Sequence, residues 1–266
     1  MTAKQASYDR IGVGYDNTRK ADPYLVERMY KLLTGEKKDG RYIDIGCGTG
    51  NYTLALSNRC LNFSGVDPSD EMLSMAKRKN DQIQWIKGMA EAIPLTSASF
   101  DGVLLSLTIH HWGDLDRGIM EVERILKDEG RIVLFTSLPE QTKSYWLRYY
   151  FPEMIDASAD VLPERAAIHN AMTRAGMSII KEERYHVQPD LQDLFLYSGK
   201  YKPERYLDPE FRKGISSFSM IAHQPEVERG LDKMAADIQS GAIHDIMDQY
   251  PSEQGDYIFL VAKKNR

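Results

Sequence analysis

The stretch Tyr42-Ile43-Asp44-Ile45-Gly46-Cys47-Gly48-Thr49-Gly50 decides how the rest of the chain is read. A short β-type run, Tyr42–Ile45, stops at three glycines spaced two apart, and a helical pattern opens at Asn51. Glycines between a strand and a helix let the chain turn sharply and let its backbone approach a bound ligand closely. Outward from this unit the alternation continues. Further β-type runs are read at Phe63–Val66, Ile83–Lys87, Gly102–Leu107 and Arg131–Thr136, with helices opening at Pro68-Ser69 and covering Leu115–Leu126. Strand and helix in alternation predict an α/β fold of the doubly wound, Rossmann-like kind with a mostly parallel sheet, because parallel neighbours need crossover helices.

On the amino-terminal side, apolar residues at Tyr8, Ile11 and Tyr15, then at Tyr24, Leu25, Met29, Leu32 and Leu33, predict two helices interrupted near Asp22-Pro23. Residues 1–40 are read as a helical arm. On the other side, an aromatic-rich insertion occupies 138–162, with Tyr145, Trp146, Tyr149, Tyr150 and Phe151. A helix near Glu164–Ala175 and a strand near Ser178–Val187 follow, then a mostly helical lid or substrate insertion over 189–251. A strong β run, Asp256–Ala262, closes the chain. The core is therefore 41–188 together with 252–266, one domain with insertions, which a chain of 266 residues can fill.

Composition narrows the function classes. With 39 acidic against 34 basic side chains and a net charge of −5, the chain has no global attraction to nucleic acid or anionic lipid. Two cysteines, Cys47 and Cys60, are too few for a disulfide framework or a cysteine-based zinc site, so no metal is expected and a reducing compartment fits. The N-terminus lacks the apolar region of a signal peptide, and no run approaches the roughly 18–20 apolar residues of a membrane span. These features predict cytoplasmic residence without a membrane partner.

Asp67 ends the second β run, 21 positions beyond Gly46. A carboxylate about 20 residues past the first glycine suits the ribose hydroxyls of an adenosine-containing cofactor. A nicotinamide dinucleotide and S-adenosylmethionine both satisfy that much. The loop spacing, Gly-Cys-Gly-Thr-Gly, differs from the G-x-G-x-x-G of dinucleotide sites, and Asp44 lies just before it. A carboxylate there repels a diphosphate and attracts the cationic ammonium and sulfonium of S-adenosylmethionine.

Five blocks in order, Asp44-Ile-Gly-Cys-Gly-Thr-Gly50, Gly65-Val-Asp-Pro-Ser69, Ala90-Glu-Ala-Ile-Pro94, Ser99-Phe-Asp101 and Arg124-Ile-Leu-Lys127 with Gly130, resemble the class I S-adenosylmethionine-dependent methyltransferases. The likeness spans about residues 40–137 and is greatest to the small-molecule branch that includes ubiquinone and menaquinone methyltransferases. It implies a seven-stranded sheet with an antiparallel C-terminal strand, methyl transfer to a small-molecule acceptor, and S-adenosyl-L-homocysteine as product. It also implies that Gly46, Cys47 and Gly48 supply backbone contacts to the methionine part, that Asp67 holds the ribose, and that Pro68, Ser69 and Met72 frame the adenine; Asp44 and Gly50 complete the expected cofactor-binding set. Where the family usually has Gly-Asp-Ala, this chain has Gly88-Met89-Ala90. Met89 cannot accept from the adenine amino group, so recognition there falls to Ala90, apolar packing or Glu91.

The same resemblance places Ser106 and Leu107 beside the cofactor and the pair His110 and His111 near the methyl group. Histidine takes a proton from a hydroxyl or amine near neutral pH, although either ring also suits simple packing with Trp112. In the arm, Tyr15 and Arg19 resemble a Tyr and an Arg that close over the cofactor, with Arg19 suited to the methionine carboxylate; an exposed helix with ordinary ion pairs is the alternative. Tyr15, His111, Trp146 and Tyr150 are the candidate acceptor contacts, and Leu191–Tyr197 is a further apolar stretch that lines a pocket or packs a lid. A nicotinamide-dependent oxidoreductase and a non-catalytic S-adenosylmethionine-binding protein are the rival readings. A monomer or a homodimer is expected.

Overall fold

The strand that leads into the glycine loop, β1 (Arg41–Ile45), is buried at every position after Arg41, as a central parallel strand must be. In the computed structural model, which describes residues 18–35, 39–59, 62–219 and 223–265, β1 pairs in parallel with two neighbours. These are β2 (Asn62–Asp67) and β4 (Phe100–Ser106). Beyond β2 lies β3 (Gln84–Lys87), and beyond β4 come β5 (Leu126–Thr136), β7 (Tyr257–Lys264) and β6 (Met177–Tyr185). The seven-stranded order is 3-2-1-4-5-7-6, with β7 antiparallel to both β5 and β6. The order of strands reverses between β1 and β4, which opens a crevice at their carboxyl ends.

Helix α1 (Pro23–Thr34) starts at the break read from Asp22-Pro23: the Asp22 carboxylate accepts from the N–H groups of Tyr24 and Leu25 at 3.0 Å, and Pro23 needs no partner. The preceding helix read over Tyr8–Tyr15 lies outside the described residues. Leu25, Met29 and Leu33 of α1 and Leu56 of α2 (Asn51–Ser57) bury against one sheet face, with Leu104, Phe135 and Phe259. The other face is covered by α4 (Leu115–Ile125) and α7 (Arg165–Arg174), whose Ile119, Val122 and Ile168 pack on Ile43, Val103 and Leu260. Side chains alternate between the faces along β5, Ile132 and Leu134 to one and Val133 and Phe135 to the other, which is the two-residue period of a strand. Helix α3 (Asp70–Lys79) bridges β2 and β3, with acidic residues in its first turn and basic ones in its last, matching the helix dipole.

Element boundaries differ from the sequence reading by a residue or more in several places, and two of these differences have a clear physical cause. Strand β4 ends at Ser106 instead of Leu107, because Leu107 takes a left-handed φ of 52°. Strand β5 begins at Leu126, where the chain passes from α4 into the sheet without a loop.

The segment after β5 folds as α5 (Pro139–Lys143), a 3-10 turn at Trp146–Tyr149, and α6 (Pro152–Asp160). Between β6 and β7, 3-10 turns at Leu196–Gly199 and Pro203–Leu207 precede α8 (Pro209–Lys213) and a turn at Ser216–Ser219; α9 (Gln224–Ser240) and α10 (Ala242–Asp248) follow. Only the later half of this segment is made of longer α-helix, since Pro203, Pro209 and Gly214 cut the first half into single turns. The Tyr145 and Tyr206 hydroxyls share a hydrogen bond of 2.8 Å, and the half-buried Lys200 ammonium reaches the buried Asp256 at 2.7 Å. These contacts fasten the two segments to each other and to the start of β7. Among the described residues no helix is long and apolar enough to cross a membrane.

Candidate cofactor site

The loop after β1 turns on three left-handed glycines, Gly46, Gly48 and Gly50, at φ of 77°, 54° and 77°. Gly46 is pressed against the loop after β4: a Cβ there would lie 1.9 Å from Thr108 Oγ1. Above Gly48 the space is open, with nothing within 4 Å of a built Cβ. The backbone donors of this loop point inward. Gly46 and Cys47 both donate to the Val66 carbonyl, at 2.8 and 3.0 Å, and Gly48 donates to Asp67 Oδ2 at 2.9 Å. These three N–H groups are therefore committed to the protein, unlike the free donors with which phosphate-binding loops hold an anion. The sequence reading had them contact the ligand; their partners on β2 are what it lacked.

Asp44, the penultimate residue of β1, is 2% exposed. Its Oδ2 accepts from the Thr53 hydroxyl at 2.7 Å, while Oδ1 is buried without a hydrogen-bond partner. Burial pushes its carboxyl up to about 7, with the Thr53 bond opposing and the nearby Asp67 charge adding. A buried acceptor without a partner costs about 1–3 kcal/mol, and a cationic ligand removes that cost. The Cys47 thiol is also held up by burial and by Asp44 and Asp67, so it stays neutral and is no thiolate nucleophile.

Asp67, at the end of β2, accepts from the Ser69 N–H at 2.9 Å on Oδ1 and from Gly48 on Oδ2. Burial raises its carboxyl, and those two bonds lower it in part. Ser69 caps α3 by accepting from the N–H of the buried Met72, and Pro68 sits exposed before it. After β3, Met89 is 53% exposed and Ala90 is buried. Glu91 Oε1 accepts from the N–H groups of Gly113 and Asp114 at 2.6 and 3.3 Å. It is thereby tied to the loop after β4.

At the end of β4, Ser106 is half-buried, and Leu107 is held left-handed by its N–H bond to the Phe135 carbonyl at 2.8 Å. A non-glycine residue in that region costs about 1–2 kcal/mol, strain of the kind that gathers at functional sites. The turn Ile109–His111 follows, with the His110 and His111 rings 3.8 Å apart between centroids, His110 half-buried and His111 exposed. The ends of β1, β2 and β4 thus bring Asp44, Asp67, Gly48 and the histidine pair to one edge of the sheet.

Residues 43–134 match the family model described as methyltransferase domain. An uncharacterized methyltransferase of Mycobacterium tuberculosis is 32% identical over 154 residues, 58% of this chain and 62% of that protein. The demethylmenaquinone methyltransferase of Thermotoga maritima is 28% identical over 150 residues, 54% of this chain and 65% of that protein. The chain thus spans under two thirds of these curated relatives. A solved structure from Anabaena variabilis, assigned to the methyltransferases of an antibiotic biosynthesis pathway, is 33% identical, with a TM-score of 0.81 over 92% of this chain and 98% of that one. The chain belongs to the class I S-adenosylmethionine-dependent methyltransferases. That family implies the use of S-adenosylmethionine, and the residues fit it: a buried acceptor oxygen for a cation, open space over Gly48, and a carboxylate ending β2.

Other site residues of this methyltransferase sit differently from their sequence reading. Arg19 forms a side-on pair with Asp193 at 2.6 Å through Nε. Trp146 is 2% exposed, donates to the Lys200 carbonyl at 3.3 Å and lies edge-on to Tyr206. The Tyr150 hydroxyl donates to Asp237 at 3.0 Å, and its ring is buried. Both aromatics therefore belong to the packing between the two inserted segments. Tyr15 lies outside the described residues.

The sequence reading passed over Thr53, Tyr52 and Asp193. Asp193 stands alone among Leu191, Leu194 and Phe195, and a single carboxylate within an apolar run was the available signal. Among the described residues, Glu153, His223 and Glu226 bring metal-type ligand atoms within 4.8 Å of one another. The Glu226 oxygens already accept from the Glu153 and Met154 N–H groups at the start of α6.

Proposed function

We propose that this chain transfers the methyl group of S-adenosylmethionine to a small-molecule acceptor. The observation that carries the reading is the buried, unpartnered Asp44 Oδ1 under a loop whose N–H groups are engaged. Such a site favours a cation over a diphosphate. When bound, S-adenosylmethionine supplies a methyl carbon on a sulfonium, so the protein needs to align an acceptor behind that carbon and exclude water. Asp44 holds the ammonium, Asp67 accepts from the ribose hydroxyls, and Gly48 leaves room for the methionine part. His110 or His111 takes the proton when the acceptor is a hydroxyl or amine; a carbanion or thioether acceptor needs no base. Residues 18–22 and the segment between β6 and β7 form the lid. The acidic balance of the chain and the names of its Thermotoga and Anabaena relatives support a small-molecule acceptor.

Calorimetry at pH 8 with S-adenosylhomocysteine and with NAD(H) tests the cofactor. Binding of S-adenosylhomocysteine alone is expected, and binding of NAD(H) alone would overturn the reading in favour of an oxidoreductase. An acceptor screen read by S-adenosylhomocysteine release then separates an enzyme from a non-catalytic binder.

A further inference from the structure

Asp193, in the segment between β6 and β7, is 1% exposed and serves groups far from it in sequence. It accepts from Arg19 Nε at 2.6 Å, from Arg19 Nη2 at 3.3 Å and from the Tyr52 hydroxyl at 3.1 Å. Tyr52 lies in the first turn of α2, just past Gly50. The Arg19 carbonyl accepts from Asn51 Nδ2 at 2.7 Å, and Asn51 Oδ1 accepts from Lys79 Nζ at 2.7 Å. That ammonium also reaches the Thr49 carbonyl, inside the glycine loop, at 2.9 Å. Next to Asp193, the Leu194 N–H donates to the Thr18 carbonyl at 2.9 Å, and Gly214 packs so tightly on Thr18 that a Cβ would meet its Oγ1 at 2.0 Å. Asp22 adds a second tie, accepting from the Gln192 N–H at 3.0 Å.

Burying a carboxylate is costly unless it is paired, and an apolar residue packs a lid as well. What the carboxylate adds is direction, since it fixes the Arg19 fork and the Tyr52 hydroxyl at once. We propose that Asp193 is a positioning residue for cofactor retention. It holds Arg19 and Tyr52 across the first turn of α2, so that residues 18–22 and the segment between β6 and β7 close over the glycine loop as one unit. The inference rests on the cofactor reading above. Ligand beneath the closed cluster leaves only after the cluster opens, so the carboxylate acts on release.

Stopped-flow fluorescence with S-adenosylhomocysteine on the full chain tests this, with Trp85, packed against Gly50, as reporter. Asp193→Asn and Arg19→Gln should each speed release at least about tenfold. Because the two residues act through one contact, the double variant should release no faster than about twice the faster single variant. Release from Asp193→Asn within about twofold of wild type, or single effects that multiply, would overturn the proposal. So would a lower melting temperature with unchanged release, the mark of a purely structural residue. Should Asp193→Asn fail to fold, Tyr52→Phe removes one donor from the same carboxylate; faster release supports the proposal and an unchanged rate overturns it. A wild-type chain that does not bind S-adenosylhomocysteine would defeat the cofactor reading and this inference together. Binding with unaltered release in the variants would defeat this inference alone.

Discussion

Replacing Asp44 with Asn should separate folding stability from cofactor binding. The carboxyl ionises at about 7 instead of its ordinary 3.8 because it is buried. Between those two values the folded chain keeps a proton that the unfolded chain has released, so stability falls as pH rises through the window and stays low above it. At about 1.4 kcal/mol per pH unit the whole window is worth about 4 kcal/mol, of which about 3 falls between pH 5 and pH 8. Asn has no such titration. Urea unfolding of both proteins at pH 5 and pH 8, followed by circular dichroism, should therefore show a drop in wild type that exceeds the variant's by about 3 kcal/mol. Calorimetry at pH 8 should show the variant losing at least about 2 kcal/mol of S-adenosylhomocysteine affinity, since a neutral amide cannot pair with the ligand's ammonium. The affinity of wild type should also weaken as pH falls below about 7, because binding then has to expel the carboxyl proton. Equal pH dependence of stability in the two proteins would refute the argument from burial, and unchanged affinity would refute the placement of the ammonium.

Three further outcomes follow from the site. Gly48→Ala, at a left-handed φ of 54° with open space beyond it, should cost only about 1–2 kcal/mol in melting experiments yet abolish S-adenosylhomocysteine binding; normal binding would put the ligand elsewhere. Asp67→Ala should weaken affinity by at least about 1.5 kcal/mol, and a folded variant with wild-type affinity would remove Asp67 from the ribose. With a hydroxyl or amine acceptor, His110→Ala or His111→Ala should lower turnover about 10²-fold or more while S-adenosylhomocysteine affinity holds; normal turnover in both would remove the base.

Local rules carried the sheet. Alternating β-type and helical runs were enough for the doubly wound core, and Asp22-Pro23 marked the start of α1 because a cap is a three-residue event. The direct passage from α4 into β5 at Leu126 was hidden, since the sequence there carries Lys127-Asp128-Glu129-Gly130, which reads as a loop. In the candidate site, Asp44 and Asp67 were visible through their spacing from the glycines. The direction of the loop's donors was not, because the acceptors, the Val66 carbonyl and the Asp67 carboxylate, belong to the neighbouring strand. Arg19 was read for the ligand, yet its partner lies 174 positions away. Trp146 and Tyr150 were read as acceptor contacts on aromatic character alone, which does not distinguish a pocket wall from the packing where they sit.

The inward-facing donors of the glycine loop bear on how such proteins change ligand. A side chain can be exchanged by one substitution, but a main-chain N–H pointed at Val66 is fixed by the hand of the turn and by the register of β1 against β2. Converting this loop to grip a pyrophosphate would require inserting or deleting a residue and re-seating the following helix. Ligand preference here is written in the chain's path, which makes it resistant to drift.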